Sequence, residues 1–196
     1  MVAIVDYNAG NITSVCNALN RLGAEWKLTS SFEELRKASR VLLPGVGDAA
    51  QVMHELREKG LVEVIKSLRH PVLGICIGMQ VLCRDSQESD AVCMGVFDAH
   101  VTKFESCNGD KVPHTGWNSI HNLESKLFKG ISPGSFVYYV HSYRANLCPD
   151  TIATTSYCGA MFSAALKYEN FYGTQFHPEK SGDVGELILK NFLESC

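Results

Sequence analysis

The clearest candidate for chemistry is a cysteine between two glycines. Cys76 is the centre of residues 74–78 (Gly-Ile-Cys-Ile-Gly), which match the nucleophile-elbow pattern G-x-S-x-G with Cys in place of Ser. Such a turn strains its central residue and leaves room only for small neighbours, so glycine on both sides is expected. Free N–H groups at the start of the following helix would favour a thiolate and an adjacent oxyanion. The alternative is a buried cysteine between two packing glycines.

A base for this nucleophile is offered 101 residues later, where residues 175–179 read Gln-Phe-His-Pro-Glu. Pro178 disfavours helix at His177, so the pattern predicts an extended segment in which positions i and i+2 point the same way. Glu179 could then hold one imidazole nitrogen while the other takes the proton of Cys76. The sequence thus suggests a Cys-His-Glu triad, although a polar turn at a strand end is an alternative interpretation.

A third strand end with glycines occurs at residues 45–50 (Gly-Val-Gly-Asp-Ala-Ala). This segment fits the dinucleotide fingerprint G-x-G-x-x-A, but that motif needs an acidic residue at the end of the next strand, and Glu63 falls in a helical run. In the other interpretation, a backbone N–H of Val46 or Gly47 joins that of Ile77 in an oxyanion hole.

The elements that must position these residues alternate in the first half of the chain. Apolar runs predict strands at residues 2–6, 26–28, 40–43 and 72–75. Helical spacing predicts a first helix after an N-cap at Asn11 and a second one, with Asp48 as its N-cap, at residues 48–59. Further helices are predicted at residues 32–37 and 61–68 and from Ile77 onward. This βαβ alternation predicts an α/β fold with a mostly parallel, twisted sheet flanked by helices.

The second half has a different pattern. Short runs rich in Val, Phe, Tyr and Thr predict further strands joined by turns at residues 96–104, 136–140, 151–155, 162–166 and 171–175, before a last helix at residues 184–193. We expect additional antiparallel strands in this half. No linker or internal repeat interrupts the chain, so we expect a single domain over residues 1–196.

Composition excludes several classes of function. Lys and Arg total 18 against 21 Asp and Glu, a net charge of −3 without a basic run, which does not favour nucleic-acid binding. The densest apolar stretch, residues 71–83, is shorter than the roughly 20 residues of a membrane helix. The eight cysteines include no C-x-x-C pair, and residues 1–6, which lack a basic start and carry a charge at position 6, are not expected to form a signal peptide. We therefore expect a soluble cytoplasmic protein without a metal site or structural disulfides.

In combination these motifs resemble those of class I (triad) glutamine amidotransferases. Further segments are similar to the glutaminase subunits of imidazole glycerol phosphate synthases of histidine biosynthesis, namely residues 6–11 (Asp-Tyr-Asn-Ala-Gly-Asn), 113–118 (Pro-His-Thr-Gly-Trp-Asn), 140–143 (Val-His-Ser-Tyr) and Lys180-Ser181. The resemblance covers the whole chain.

The resemblance implies hydrolysis of the glutamine side-chain amide through a thioester on Cys76, without a cofactor. The oxyanion would be held by N–H groups of Ile77 and of Val46 or Gly47, and His177 would protonate the departing ammonia. Glutamine would be bound by Gly45, Gln80 and the backbone of His141, Ser142 and Tyr143. A structural polar network is the alternative for these last residues.

The resemblance also implies a partner, because no length remains for a domain that accepts the ammonia. In the family this partner is a (β/α)8 cyclase subunit, which receives ammonia through a channel, and the two chains form a heterodimer. Trp117, Asn118, Tyr138 and Lys180 lie in the segments most like the docking surface. The alternatives are core aromatics and a solvated lysine. Another amidotransferase pair, for example in sugar amination, and a related cysteine hydrolase remain possible functions.

Overall fold

Strands and helices alternate through the first half of the chain, as the apolar runs predict. The computed structural model describes residues 1–8, 12–106 and 109–196. The strands are β1 (Val2–Val5), β2 (Trp26–Thr29), β3 (Arg40–Leu43), β4 (Val72–Ile75), β5 (Asp85–Ser86), β6 (Ala91–Val92), β7 (His100–Lys103), β8 (His114–Ser119), β9 (Phe136–His141), β10 (Tyr143–Ala145), β11 (Thr151–Tyr157), β12 (Ala160–Tyr168) and β13 (Phe171–Thr174). The helices are α1 (Thr13–Arg21), α2 (Phe32–Lys37), α3 (Ala49–Glu58), α4 (Leu61–Ser67), α5 (Ile77–Gln80) and α6 (Gly182–Glu194).

The central sheet has seven strands in the order β11-β12-β13-β4-β3-β1-β2. The five strands from β13 to β2 are parallel, and β12 runs antiparallel to both of its neighbours. The expected mostly parallel sheet with added antiparallel strands is therefore confirmed. Because β3, β4 and β13 are adjacent and parallel, the segments that follow Leu43, Ile75 and Thr174 leave the sheet at one edge.

Both faces of this sheet are covered. In β1, Ala3 and Val5 belong to the apolar cluster that includes helices α2, α3 and α4, whereas Val2 and Ile4 belong to the cluster that includes α1 and α6. Successive residues of a strand point to opposite faces, so a strand covered on both sides is apolar at every position. This explains why continuous apolar runs predict the strands of the first half well.

Two smaller sheets stand beside the central one. Strands β10, β7, β5 and β6 form one, and β8 and β9 form an antiparallel ribbon in which His114 pairs with His141 and Trp117 with Tyr138. The strand expected at residues 96–104 is too long, because β7 begins only at His100. The N–H groups of residues 96 and 97 instead donate to the carbonyl of Leu82 in a loop.

The helix starts agree in part with the expected caps. Asp48 caps α3, since its carboxylate accepts from the N–H groups of Ala50 and Gln51 at 2.9 and 3.0 Å. Asn11, the predicted cap of the first helix, lies outside the described residues. The helix after Cys76 ends at Gln80 and is a single turn. In the described parts of the chain, no helix has the length and apolar character needed to cross a membrane.

Candidate active site

Cys76 occupies a strained turn between β4 and α5. Its backbone has φ 55° and ψ −110°, outside the regions that L-residues prefer. A Cβ at Gly74 would lie 2.5 Å from the carbonyl oxygen of Gly78, and one at Gly78 would lie 1.8 Å from that of Leu43. The two glycines therefore allow β3, β4 and α5 to touch through their backbones. The elbow predicted from residues 74–78 is present.

The predicted base and its carboxylate are in contact. Nδ1 of His177 lies 2.7 Å from Oε1 of Glu179, and both side chains are almost completely buried. The expected extended segment is only partly correct. His177 is extended, but Pro178–Lys180 form a 3-10 turn with the proline in its first position, where a missing N–H is tolerated. Glu179 reaches the imidazole across this turn.

Hydrogen bonds from neighbouring elements hold His177 in place. Its N–H donates to the carbonyl of Tyr138 on β9, and its own carbonyl accepts from the hydroxyl of Ser181 at 2.6 Å. Ser181 also accepts from the N–H of Tyr138. Strand β9 is thereby tied to the turn that carries the base.

The charge of His177 is set by opposing effects. Burial lowers its pKa, but the nearby Cys76 sulfur and the Glu179 carboxylate outweigh burial and raise the pKa to about 10. Nε2 of His177, the ring nitrogen not held by Glu179, is buried without a hydrogen-bond partner. The two neighbours therefore favour the charged imidazole, the form that His177 has after it takes a proton from Cys76 and before it donates to a leaving group.

A cavity of about 290 Å³ opens in front of these residues. It is lined by Val46, Gly47, Cys76, Ile77, Gln80, Glu88, Pro113, Val140, His141, Ser142, Tyr143 and His177. Nine of these residues are sequence-predicted site residues. Glu179 lies behind His177 and does not line the cavity.

Gly45, expected at the substrate, is not part of the cavity wall. A Cβ at this position would lie 2.9 Å from both the hydroxyl of Tyr7 and the N–H of Gly78. The Tyr7 hydroxyl donates to the carbonyl of Pro44 at 2.5 Å. Gly45 is thus needed for close packing between β3 and α5.

The three residues with candidate oxyanion donors line the same cavity as Cys76. Ile77 is the first residue of α5, where its N–H has no intrahelical carbonyl to meet. Val46 and Gly47 lie on the cavity wall and are exposed. Gly47 has φ 105°, which side-chain-bearing residues rarely adopt, and open space surrounds its Cα. The geometry brings these groups to one cavity but does not select between Val46 and Gly47.

Gln80 connects the cavity to the nucleophile. Its Nε2 donates to the carbonyl of Tyr143 at 3.0 Å and to Oε1 of Gln175 at 2.8 Å. Nε2 of Gln175 lies 3.7 Å from the sulfur of Cys76 and donates to it. These bonds use both amide hydrogens of Gln80 and leave its buried Oε1 without a partner. Sequence reasoning assigned no role to Gln175, although it opens the segment that carries His177.

Glu88 was missed by sequence reasoning. It is the one carboxylate that lines the cavity within the described residues, and it accepts from the N–H of Ala49 at 2.9 Å. Burial is the main cause that raises its pKa above the ordinary value, and the charge of Asp48 adds to it. No spacing rule separates Glu88 from the acidic residues beside it, so only the folded chain reveals its position.

Of the four residues predicted at the partner surface, Trp117 and Tyr138 are in contact, whereas Asn118 has other partners. The rings of Trp117 and Tyr138 meet edge to face with centroids 6.0 Å apart, and Trp117 is 55% exposed. Trp117 also lies beside Gly182, two residues after the exposed Lys180. Asn118 differs, because its amide points inward and donates to the carbonyl of Ser156 at 3.1 Å.

The site contains groups for acyl transfer. Over residues 1–8, 12–106 and 109–196, no set of three His, Cys, Asp or Glu side chains is placed to hold a metal ion. A sulfur nucleophile, an imidazole held by a carboxylate and free backbone N–H groups are the groups that acyl transfer from an amide requires.

Comparison with known proteins identifies the class. The family model for class-I glutamine amidotransferases matches residues 3–196. Among solved structures, a putative GMP synthase protein from Thermoplasma acidophilum has a TM-score of 0.75 at 24% identity, covering 98% of this chain and 91% of that one. PurLQS from Thermotoga maritima has a TM-score of 0.72 at 17% identity, with 98% and 96% covered. At these identities the likeness concerns the fold.

The sequence relatives are more specific. The imidazole glycerol phosphate synthase subunit HisH of Bacteroides fragilis strain YCH46 is 54% identical, and that of Bacteroides thetaiotaomicron is 52% identical, each over 98% of both chains. The HisH subunit of Yersinia pseudotuberculosis is 44% identical over the same shares. The chain therefore belongs to the class I glutamine amidotransferases and, within them, to the HisH subunits of imidazole glycerol phosphate synthase.

Proposed function

We propose that Cys76, His177 and Glu179 carry out glutamine hydrolysis in this chain. The observation that supports the proposal most directly is one cavity bounded by Cys76 and His177, with Glu179 2.7 Å behind the imidazole. Glu179 orients the ring and stabilises its charged form, as the carboxylate does in other nucleophile–histidine–acid triads.

The proposed reaction has two halves. His177 takes the proton of the Cys76 thiol, and the sulfur attacks the side-chain amide carbon. The developing oxyanion accepts hydrogen bonds from N–H groups of Ile77 and of Val46 or Gly47. His177 gives its proton to the leaving nitrogen, the C–N bond breaks, and ammonia leaves a glutamyl thioester. His177 then takes a proton from water, which attacks the thioester carbon. The C–S bond breaks, glutamate is released, and His177 returns the proton to the sulfur of Cys76.

Two cavity residues suit the other groups of glutamine. The Glu88 carboxylate is a fitting partner for the substrate's α-ammonium group, because a charge-assisted hydrogen bond in a partly buried site is strong. The buried Oε1 of Gln80 is a hydrogen-bond acceptor without a partner, and an N–H group of bound glutamine can supply the missing donor. Both contacts are part of the proposal.

We place the partner, a (β/α)8 cyclase subunit, over the carboxyl edge of the central sheet. Ammonia is released at this edge, and covering it would keep the ammonia from becoming ammonium in water. The exposed Trp117 beside Tyr138 is a suitable anchor, since aromatic residues are enriched among interface hot spots. The name of the relatives, a subunit of a synthase, supports a two-chain enzyme. A heterodimer in the cytoplasm completes the proposal.

Replacing the nucleophile tests the proposal. In the complex with the cyclase, Cys76→Ala should lower glutamine-dependent turnover by on the order of 10⁶-fold, as in other triads that lose the nucleophile. Turnover with ammonium salts should persist, because the acceptor site is on the other chain. Cys16→Ala, on helix α1, is the matched control and should keep both activities. Substantial glutaminase activity in Cys76→Ala would contradict the triad.

A further inference from the structure

Two buried histidines beside the cavity have no part in the proposed reaction. His114 on β8 and His141 on β9 are paired across the ribbon, and Nδ1 of His114 lies 2.9 Å from Nε2 of His141. Nδ1 of His141 lies 2.7 Å from the carbonyl oxygen of Tyr143, and the amide nitrogen of Asn118 lies 3.3 Å from Nε2 of His114. Four groups thus form a continuous chain of hydrogen bonds.

The partners determine where each proton sits. A carbonyl only accepts, so Nδ1 of His141 must carry a proton. Both rings are neutral at pH 7, because burial lowers the pKa of His114 to about 4 and that of His141 to about 3. The neutral His141 then has a bare Nε2, which must accept from Nδ1–H of His114. Because His114 is neutral and carries its proton on Nδ1, its Nε2 has no proton and accepts from the amide of Asn118. Every hydrogen bond in the series then has one donor and one acceptor.

The chain of hydrogen bonds from Asn118 to Tyr143 ends at groups that line the glutamine cavity. The carbonyl of Tyr143 accepts from His141 and also from Nε2 of Gln80. Gln80 also donates to Gln175, whose amide nitrogen donates to the Cys76 sulfur. The orientation of the Gln80 amide, and hence the position of its unpartnered Oε1, depends on a carbonyl that His141 holds.

Packing alone does not explain an imidazole at position 114. The His114 ring is stacked between Tyr157, with centroids 3.8 Å apart, and Tyr139 at 4.7 Å. A phenyl ring has the shape that such a stack requires. What the imidazole adds is the donor to His141 and the acceptor for Asn118.

We propose that His114 is a positioning residue, which keeps His141 in its Nδ1-protonated form and so fixes the Tyr143 carbonyl and the Gln80 amide for glutamine binding. The inference rests on the proposed function. Without the His114 donor, Nε2 of His141 loses its partner and the other tautomer becomes accessible. In that tautomer a bare Nδ1 would face the Tyr143 carbonyl oxygen at 2.7 Å, and two lone pairs repel each other.

Two substitutions separate hydrogen bonding from stacking. His114→Phe keeps a ring in the stack and removes the donor, so KM for glutamine in the cyclase complex should rise about tenfold, with kcat changed less than about threefold. His114→Asn removes the ring but keeps an N–H near the position of Nδ1, and KM should stay within about twofold of the unsubstituted complex. Turnover with ammonium salts should be unchanged in both variants. A wild-type KM in His114→Phe, or an equal loss in the two variants, would overturn the proposal.

The tautomer itself provides a test that needs no substitution. Long-range ¹H–¹⁵N correlation spectra of the chain should show His141 protonated at Nδ1 at pH 7. Protonation at Nε2 would overturn the proposal even if both variants fold poorly. An unsubstituted complex without glutaminase activity would instead contradict the proposed function, so the two failures are distinguishable.

Discussion

Nδ1 of His177 and Oε1 of Glu179 lie 2.7 Å apart across a single 3-10 turn, with Pro178 between the two residues. The two groups are close in sequence, and the hydrogen bonds of His177 with Tyr138 and Ser181 hold the turn that brings them together. The consequence of their contact is long range, because it favours the charged imidazole facing Cys76.

The first prediction concerns Glu179→Gln. The pKa of His177 is raised from its ordinary value of 6.5 to about 10, so the folded chain holds a proton that the unfolded chain has lost between these pH values. The resulting stabilisation is complete below about pH 6.5 and is lost as pH rises through about 10. Glu179→Gln should weaken this dependence and lower kcat.

Melting temperatures of both proteins between pH 6 and 10 check the first prediction. Glu186→Gln removes an exposed carboxylate that pairs with Arg21, and it serves as the control for loss of a charge. If Glu179→Gln and the unsubstituted chain lose stability equally between pH 6.5 and 10, the carboxylate does not maintain the charge of His177.

The second prediction concerns Glu88. If its carboxylate binds the α-ammonium group, Glu88→Gln should raise KM for glutamine by about 10- to 100-fold, the range expected for a charge-assisted hydrogen bond of about 1.5 to 3 kcal/mol. Steady-state kinetics of the cyclase complex measure this effect. Asp90→Asn, an exposed carboxylate of the same turn, is the matched control. An unchanged KM in Glu88→Gln would place the ammonium group elsewhere.

The third prediction concerns the elbow. Alanine favours helix over glycine by about 1 kcal/mol, so Gly78→Ala at the start of α5 should be stabilising if space allowed. Its Cβ would instead lie 1.8 Å from the backbone oxygen of Leu43, and we expect a loss of about 3 kcal/mol or more in the free energy of unfolding.

Denaturant unfolding measures the loss in Gly78→Ala. Gly23→Ala is the control, because this glycine has φ 66° and open space, so only backbone strain of about 1 kcal/mol should appear. Equal losses at the two positions would mean that the close approach between Leu43 and Gly78 relaxes at little cost.

The fourth prediction places the partner. Trp117→Ala should weaken binding of the cyclase by about 2 kcal/mol or more, as for other central aromatic anchors. Lys180→Glu should slow association and reduce activation of the glutaminase, leaving the fold intact. Titration with the cyclase measures both effects, and circular dichroism checks folding. Lys66→Glu on α4 is the charge-reversal control. Unchanged affinity in both variants would move the interface elsewhere.

Much of the fold follows from local patterns. The apolar runs at residues 40–43 and 72–75 coincide with β3 and β4 because both faces of these strands are buried, so nearly every position had to be apolar. The glycines at positions 74 and 78 likewise indicate a close backbone approach from their spacing alone, and the elbow confirms it.

The features that sequence reasoning missed depend on distant partners. Strand β8 reads His-Thr-Gly-Trp-Asn-Ser, which lacks an apolar alternation because its inward polar groups are satisfied by β9 and β11. Glu88 reaches the cavity only because the turn after β5 folds back to the start of α3, where Ala49 donates to it. The turn at Pro178–Lys180 was missed because proline suits both an extended segment and the first position of a turn.

The ribbon of β8 and β9 has two faces that alternate residue by residue. Trp117 and Tyr138 face outward, whereas His114 and His141 face the core. A strand that slips by one residue against its partner exchanges its two faces. A one-residue slip of β8 against β9 would therefore turn His114 outward and Trp117 inward, away from their partners His141 and Tyr138 on β9, so that glutamine binding and partner docking would fail together. A single pairing register thus sets the geometry of both surfaces.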